Sequence, residues 1–108
     1  MKSTRPWKIA VDLDGTLCYS TSSENWNRAK PIKEHIDIVN RLTEDGHEII
    51  IHTCRPWYLY ESTKEWLIRN GVRFHSIVMG KLFAHAYIDD LNTTFEEIES
   101  RLLNKEVI

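Results

Sequence analysis

A parallel, doubly wound α/β sheet with crossover helices, Rossmann-like in arrangement, is the fold class this 108-residue sequence predicts. Three observations carry that prediction. Short apolar runs alternate with segments of helical period along the chain, the pattern of successive strand–helix–strand units. One run, HEIIIHT, has a continuous apolar centre, which suits a strand covered on both faces. Acidic or hydroxyl residues end several of the runs, and open parallel sheets bind ligands at the carboxyl ends of their strands.

Each element can be justified in turn. KIAVDL (8–13) is an apolar run that ends in turn chemistry and reads as a buried strand, the central one of the sheet. A polar stretch, 18–31, is rich in Ser and Asn and carries Trp26. Pro31 stands where a helix can begin. From 32 to 45, Ile32, Ile36, Ile38, Val39 and Leu42 recur at near-helical spacing, with Gly46 as a C-terminal stop. HEIIIHT (47–53) is the second strand. PWYLYESTKEWLIRNG (56–71) is a second helix, with Pro56 near its start and Gly71 past its end. FHSIVMG (74–80) and AHAYIDD (84–90) are two further strand candidates. TTFEEIESRLLNKE (93–106) closes the order as an amphipathic helix capped by Thr93 or Thr94.

Bulk properties narrow the function classes. Length and a 42% hydrophobic content fit one domain over residues 1–108, able to bury a core without disulfide or metal staples. A net charge of −2, from 14 basic and 16 acidic residues, leaves no basic footprint for nucleic acid and no polybasic membrane signal. No run approaches the roughly 18–20 apolar residues of a membrane span. MKSTRPWK has no apolar region behind its basic residues, so it does not read as a signal peptide. With two cysteines and no secretion signal, the expected setting is reducing and cytoplasmic. No metal-type spacing links Cys18 and Cys54, which read as free thiols, and none of the five histidines is assigned to catalysis.

The stretch IAVDLDGTLC poses the chemical question. Asp12 and Asp14 interrupt an apolar strand end two residues apart. Carboxylates in such a place are costly unless they are paired or coordinated. On the predicted sheet they meet Thr53, Asp89 and Asp90, each at the carboxyl end of another strand. Convergent carboxylates favour a hard cation such as Mg²⁺, which takes one or two carboxylates, several waters and a phosphate oxygen. The hydroxyl of Thr53, the ammonium of Lys81 and backbone N–H groups of the Gly15–Thr16 turn suit a phosphate. Arg55 is placed within reach of a leaving group or a second anion. Trp57 and Trp26 are candidates to stack on a sugar or base.

DLDGT (12–16), IIIHT ending at Thr53, GK at Lys81 and YIDD ending at Asp90 resemble, in order, the four motifs of the haloacid dehalogenase-like (HAD) superfamily. The resemblance spans residues 8–90. It implies that Asp12 is the nucleophile that forms an aspartyl-phosphate, and that Asp14 is the general acid and then the base. It further implies that Thr53 and Lys81 hold phosphoryl oxygens. Mg²⁺ would be bound by Asp12, the Asp14 carbonyl and Asp90, with Asp89 as auxiliary. The gaps 18–31 and 55–74 hold only a short flap and one helix, so the chain resembles a capless member. An open site of that kind admits a bulky substrate, or needs a neighbouring subunit in a homo-oligomer or the flap to exclude water. DxDGTLC followed by AKPI and YIDD is similar to small phosphatases associated with bacterial capsule or surface-polysaccharide biosynthesis. The implied partner is therefore a small phosphorylated substrate, a sugar phosphate first. Alternatives are a nucleotide or polynucleotide end phosphatase, or a non-catalytic phosphate-binding module.

Overall fold

Alternating burial orients every strand of the sheet. The structure, a computed structural model, describes residues 5–103. In β1 (Lys8–Val11) the residue turned fully inward is Val11; in β2 (Glu48–His52) Ile49 and Ile51 are buried, and in β3 (Ser76–Val78) Ile77. Both strand pairings are parallel, and the register sets Val11 opposite Ile51 and Ile51 opposite Ile77. A row of β-branched side chains thus crosses one face of the sheet, the residue type that suits a pleated, covered surface.

The strand order is β1-β2-β3. Helix α1 (Lys33–Glu44) connects β1 to β2, and α2 (Tyr60–Arg69) connects β2 to β3. Right-handed crossovers taken in one direction place both helices on the same face. Accordingly Ile36, Val39 and Leu42 of α1 and Trp66 and Leu67 of α2 join Ile49 and Ile51 in one core. The indole of Trp66 is fully buried and donates its N–H to the Ala29 carbonyl at 3.0 Å. That bond fastens the end of a 3-10 segment, Ser23–Arg28, to α2. Gly46 and Gly71 follow the last turns of α1 and α2, near the predicted ends.

Helix α3 (Phe95–Leu103) falls inside the predicted 93–106; residues 104–106 lie outside the described residues. Thr94 is its cap, its hydroxyl oxygen accepting the Glu97 N–H at 3.1 Å, while the Thr93 hydroxyl reaches the Glu97 carboxylate. Phe95 and Ile98 turn inward, Phe95 lying 4.6 Å from the His35 ring of α1. Among the described residues, no helix is long and apolar enough to cross a membrane.

Three expectations are corrected here. Residues 84–90 do not form a strand, and β1 consequently stands at an edge of the sheet instead of its centre. The competing structure is local. The Tyr87 hydroxyl donates to the Leu82 carbonyl, Asn92 Nδ2 to the Tyr87 carbonyl at 3.2 Å, and the Leu91 N–H to Asp89 Oδ1 at 2.7 Å. Side chain–backbone bonds of this kind offer the chain an alternative to a ladder. The second face of the sheet is also less covered than the β2 sequence predicts, with Ile50 half-buried and Ala10 and Val78 exposed.

Candidate active site

The site is built on the turn that ends β1. Leu13 is fully buried, and its carbonyl accepts N–H bonds from Thr16 (3.0 Å), Leu17 (2.8 Å) and Cys18 (3.3 Å). Gly15 closes the turn at φ +83°, with Ser20 Oγ 3.1 Å from where a Cβ would stand. Only glycine takes that conformation without strain. From the side, His35 Nδ1 lies 2.6 Å from the Thr16 carbonyl oxygen and ties the turn to α1. This framework corrects one expectation. The N–H groups of Gly15 and Thr16 are spent within the turn, on the carbonyls of Cys18 (2.8 Å) and Leu13, instead of being offered to a phosphate.

Asp12 stands half-buried immediately after β1. Burial pushes its carboxyl above the ordinary aspartate range, and the charge of Asp14 adds to the rise. The Leu13 N–H, Lys81 and His52 pull the other way without cancelling it. The structure therefore brings Asp12, Asp14, Lys81 and His52 into one electrostatic group. Lys81 is held by its own N–H on the Thr53 carbonyl at 2.8 Å, and its ammonium sits 4.4 Å from the centroid of Tyr87.

Thr53 is completely buried at the end of β2. Its N–H bonds the Val78 carbonyl, and its hydroxyl oxygen accepts the Arg55 N–H at 3.1 Å, so it braces the turn leading to α2. Its hydroxyl hydrogen is left to donate.

Arg55 is not at the mouth of the site. Its side chain is 1% exposed and forks onto Asp14, Nε to Oδ2 at 3.0 Å and Nη2 to Oδ1 at 2.8 Å. The Trp26 ring lies 5.1 Å from its guanidinium carbon, which makes Trp26 a wall behind Arg55. Trp57 is open to solvent, 60% exposed, and stacks on Tyr60 with centroids 6.2 Å apart. Its indole edge lies against Gly80, next to Lys81, with Nε1 3.3 Å from where a Cβ would stand.

Asp89 and Asp90 are exposed in the irregular segment after β3. Among the described residues, no three His, Cys, Asp or Glu side chains converge as a metal would require. An ion such as Mg²⁺ keeps several waters and needs only one or two protein carboxylates; of Asp12, Asp89 and Asp90, Asp12 is the half-buried one, immediately after β1.

Three contributors escape the sequence reading. His52 is the residue before Thr53 at the same strand end, a positional signal available in the sequence. Tyr87, in the irregular segment after β3, lies under the Lys81 ammonium, a contact that a strand over 84–90 does not predict. Thr63 lies one turn into α2 and meets Arg55 Nη1 at 3.3 Å, with no local signal to mark it.

Comparison with known proteins accords with this geometry. The chain is 41% identical over 56 residues to 5-amino-6-(5-phospho-D-ribitylamino)uracil phosphatase YitU of Bacillus subtilis (strain 168), a match over 50% of this chain and 17% of that protein. The chain thus spans a small part of that relative's length. Among solved structures, a Vibrio cholerae protein superposes with a TM-score of 0.71 at 27% identity, covering 98% of this chain and all of the other. A conserved Bacteroides thetaiotaomicron protein superposes with a TM-score of 0.63 at 23% identity, over 94% of this chain and 93% of that one. A chain of the Pnkp1/Rnl/Hen1 complex gives 0.63 at 17% identity, over 82% of this chain and 32% of that one. The last two share the fold alone. Residues 9–80, which hold the aspartate turn, the Thr53 brace and the Arg55 fork, match the haloacid dehalogenase-like hydrolase family, and the chain belongs to it.

Proposed function

We propose that the chain is a Mg²⁺-dependent phosphomonoester hydrolase that works through an aspartyl-phosphate on Asp12. The observation that carries this reading is the Asp12 carboxylate, half-buried immediately after β1 and within the electrostatic influence of Lys81. A desolvated carboxylate is a better nucleophile than a hydrated one, and a neighbouring ammonium lets it approach an anionic phosphate.

In the first step an Asp12 oxygen bonds to phosphorus and the ester oxygen departs, taking a proton from Asp14. In the second, a water oxygen bonds to phosphorus, its proton returns to Asp14, and the bond from phosphorus to Asp12 breaks. The products are an alcohol and inorganic phosphate, with both carboxyl groups restored. Lys81 offsets the charge of Asp12 and of the phosphoryl oxygens, and Thr53 contributes a hydroxyl donor. Mg²⁺, held by Asp12 and the Asp14 carbonyl with Asp90 and then Asp89 as the further acids, would supply additional positive charge at the phosphoryl group.

A small phosphorylated metabolite is the favoured substrate, a sugar or polyol phosphate first. The name of the Bacillus subtilis relative, with a phosphoribityl chain on a pyrimidine, supports that class. Trp57 beside Lys81 would offer a flat apolar surface to whatever the phosphate is attached to. The test is phosphate release from sugar phosphates, nucleotides and an aryl phosphate, with Mg²⁺ or with excess chelator. Turnover is expected only with the metal, and Asp12→Asn is expected to abolish it. Turnover that survives both changes would remove Asp12 and Mg²⁺ from the chemistry.

A further inference from the structure

We propose that Arg55 is a positioning residue: it fixes the orientation of the Asp14 carboxylate and anchors it to α2 and to the segment Ser23–Arg28. The inference rests on the reading of Asp14 as the proton donor to the leaving oxygen.

The guanidinium is buried, and its contacts have one direction of purpose. Two of its nitrogens form a fork onto both Asp14 oxygens, at 3.0 and 2.8 Å. Its other contacts are to neutral groups: Nη1 to the Thr63 hydroxyl at 3.3 Å, Nη2 to the Trp26 carbonyl at 3.4 Å, and the Trp26 ring at 5.1 Å. Burying a guanidinium is costly unless its donors are met, and an apolar side chain of similar volume would fill the space beside Thr63 and Trp26 without that cost. The charge at position 55 is therefore explained by Asp14. Asp14 itself is 24% exposed and would be solvated without the fork, free to rotate about its terminal torsion. Two parallel bonds to a planar group remove that rotation. Each carboxylate oxygen has two lone-pair directions; on Oδ1 the Cys18 thiol takes the second, so the fork leaves one open on Oδ2, where the proton given to the leaving oxygen, or taken from a water, is carried. Cys18 Sγ, 3.5 Å from Oδ1, is the remaining neighbour.

Arg55 acts through Asp14, so its loss should matter in proportion to the need for a proton. Two substrates separate this from a structural effect: glycerol 2-phosphate, whose alkoxide must be protonated, and 4-nitrophenyl phosphate, whose phenolate leaves unaided. The variants are Asp14→Asn, Arg55→Gln, Arg55→Lys and the Asp14→Asn/Arg55→Gln double change, with kcat and KM measured for each. Arg55→Gln is expected to lower kcat/KM, which reports formation of the aspartyl-phosphate, by about 100-fold on glycerol 2-phosphate, the scale of general acid catalysis. On 4-nitrophenyl phosphate the loss of kcat/KM should be much smaller, while kcat falls on either substrate to the extent that the water step, which also uses Asp14, limits turnover. Arg55→Lys should show the same selectivity, because it keeps the charge but not the fork, and the double variant should be no worse than Asp14→Asn alone. Equal losses of kcat/KM on the two substrates would overturn the proposal. Should Arg55→Gln fail to fold, Thr63→Val withdraws one support of the fork at constant volume. A selective loss in that variant supports the proposal and an equal loss overturns it. If Asp14→Asn itself leaves the ratio of the two substrates unchanged, the proton-donor reading falls first and the inference falls with it. That outcome is distinct from a selective Asp14→Asn with an unselective Arg55→Gln, which sinks the inference alone.

Discussion

Asp12 and Cys18 show how burial at one turn disfavours the charge of two different side chains. The raised pKa of Asp12 means that the folded state disfavours its charge, chiefly through burial. The penalty is absent at acid pH, where the carboxyl is protonated in both the folded and unfolded states, and it appears as pH rises through the raised folded value. Asp12→Asn removes it. We expect that variant to be more stable than the wild type at pH 7, by about 1 kcal/mol or less and a few degrees in Tm, with the gain shrinking toward pH 4. Thermal denaturation at the two pH values measures this, and a less stable variant at pH 7 would contradict it. Burial pushes the Cys18 thiol up to about 12, with the negative charge of Asp14 adding to the rise. A thiol that does not ionise is a poor nucleophile. Cys18 should therefore resist iodoacetamide at pH 8 in the native protein and react only after unfolding, as mass spectrometry of the labelled peptide would report.

At the scale of elements, α2 does more than cover the sheet. It holds the segment Ser23–Arg28 through Trp66 on the Ala29 carbonyl and Arg69 on the Asn27 carbonyl, at 3.0 and 2.6 Å. Trp66→Phe leaves the Ala29 carbonyl without its donor, at a cost of about 1–3 kcal/mol, and adds the cost of the cavity where the larger indole stood. Urea denaturation should read that loss. Gly80, at φ +75°, ends β3 under the Trp57 indole. Gly80→Ala should cost about 1–2 kcal/mol from the left-handed backbone alone. It should also displace Trp57, which on the proposed function raises KM for ring-bearing substrates more than for glycerol phosphate. Most of these elements were legible. Hydrophobic period and proline and glycine punctuation located α1, α2 and the start of α3, because those signals are local and packing reinforces them. The 84–90 segment misled for the same reason. AHAYIDD has the composition of a strand, but composition does not say whether an edge of the sheet receives it, and bonds from Tyr87, Asn92 and Asp89 won locally.

For the molecule as a whole, the sheet is ordered from its middle. β2 pairs on both sides, whereas β1 and β3 are edges. Its amides should show the slowest hydrogen exchange, near the global unfolding rate, while those of residues 82–92 should exchange fastest. If Asp90 and Asp89 complete the Mg²⁺ shell as proposed, Mg²⁺ with a phosphate-like metal fluoride should slow exchange across 84–90. Unchanged exchange there, with binding demonstrated, would remove them as ligands.

By itself, the sequence determined the parallel α/β class and the placing of Asp12, Asp14 and Thr53 at strand ends. Strand period, turn residues and the two-residue spacing of the aspartates are properties of neighbouring positions. The turn after β1 decided where the Gly15 and Thr16 amides are spent, on carbonyls three residues away. Tertiary structure alone decided what Arg55 does and that β1 stands at an edge: the Arg55 fork joins residues 41 apart whose approach is set by packing. A guanidinium near a site reads the same in sequence whether it faces the substrate or the acid. Only the burial of its side chain and the direction of its fork distinguish the two.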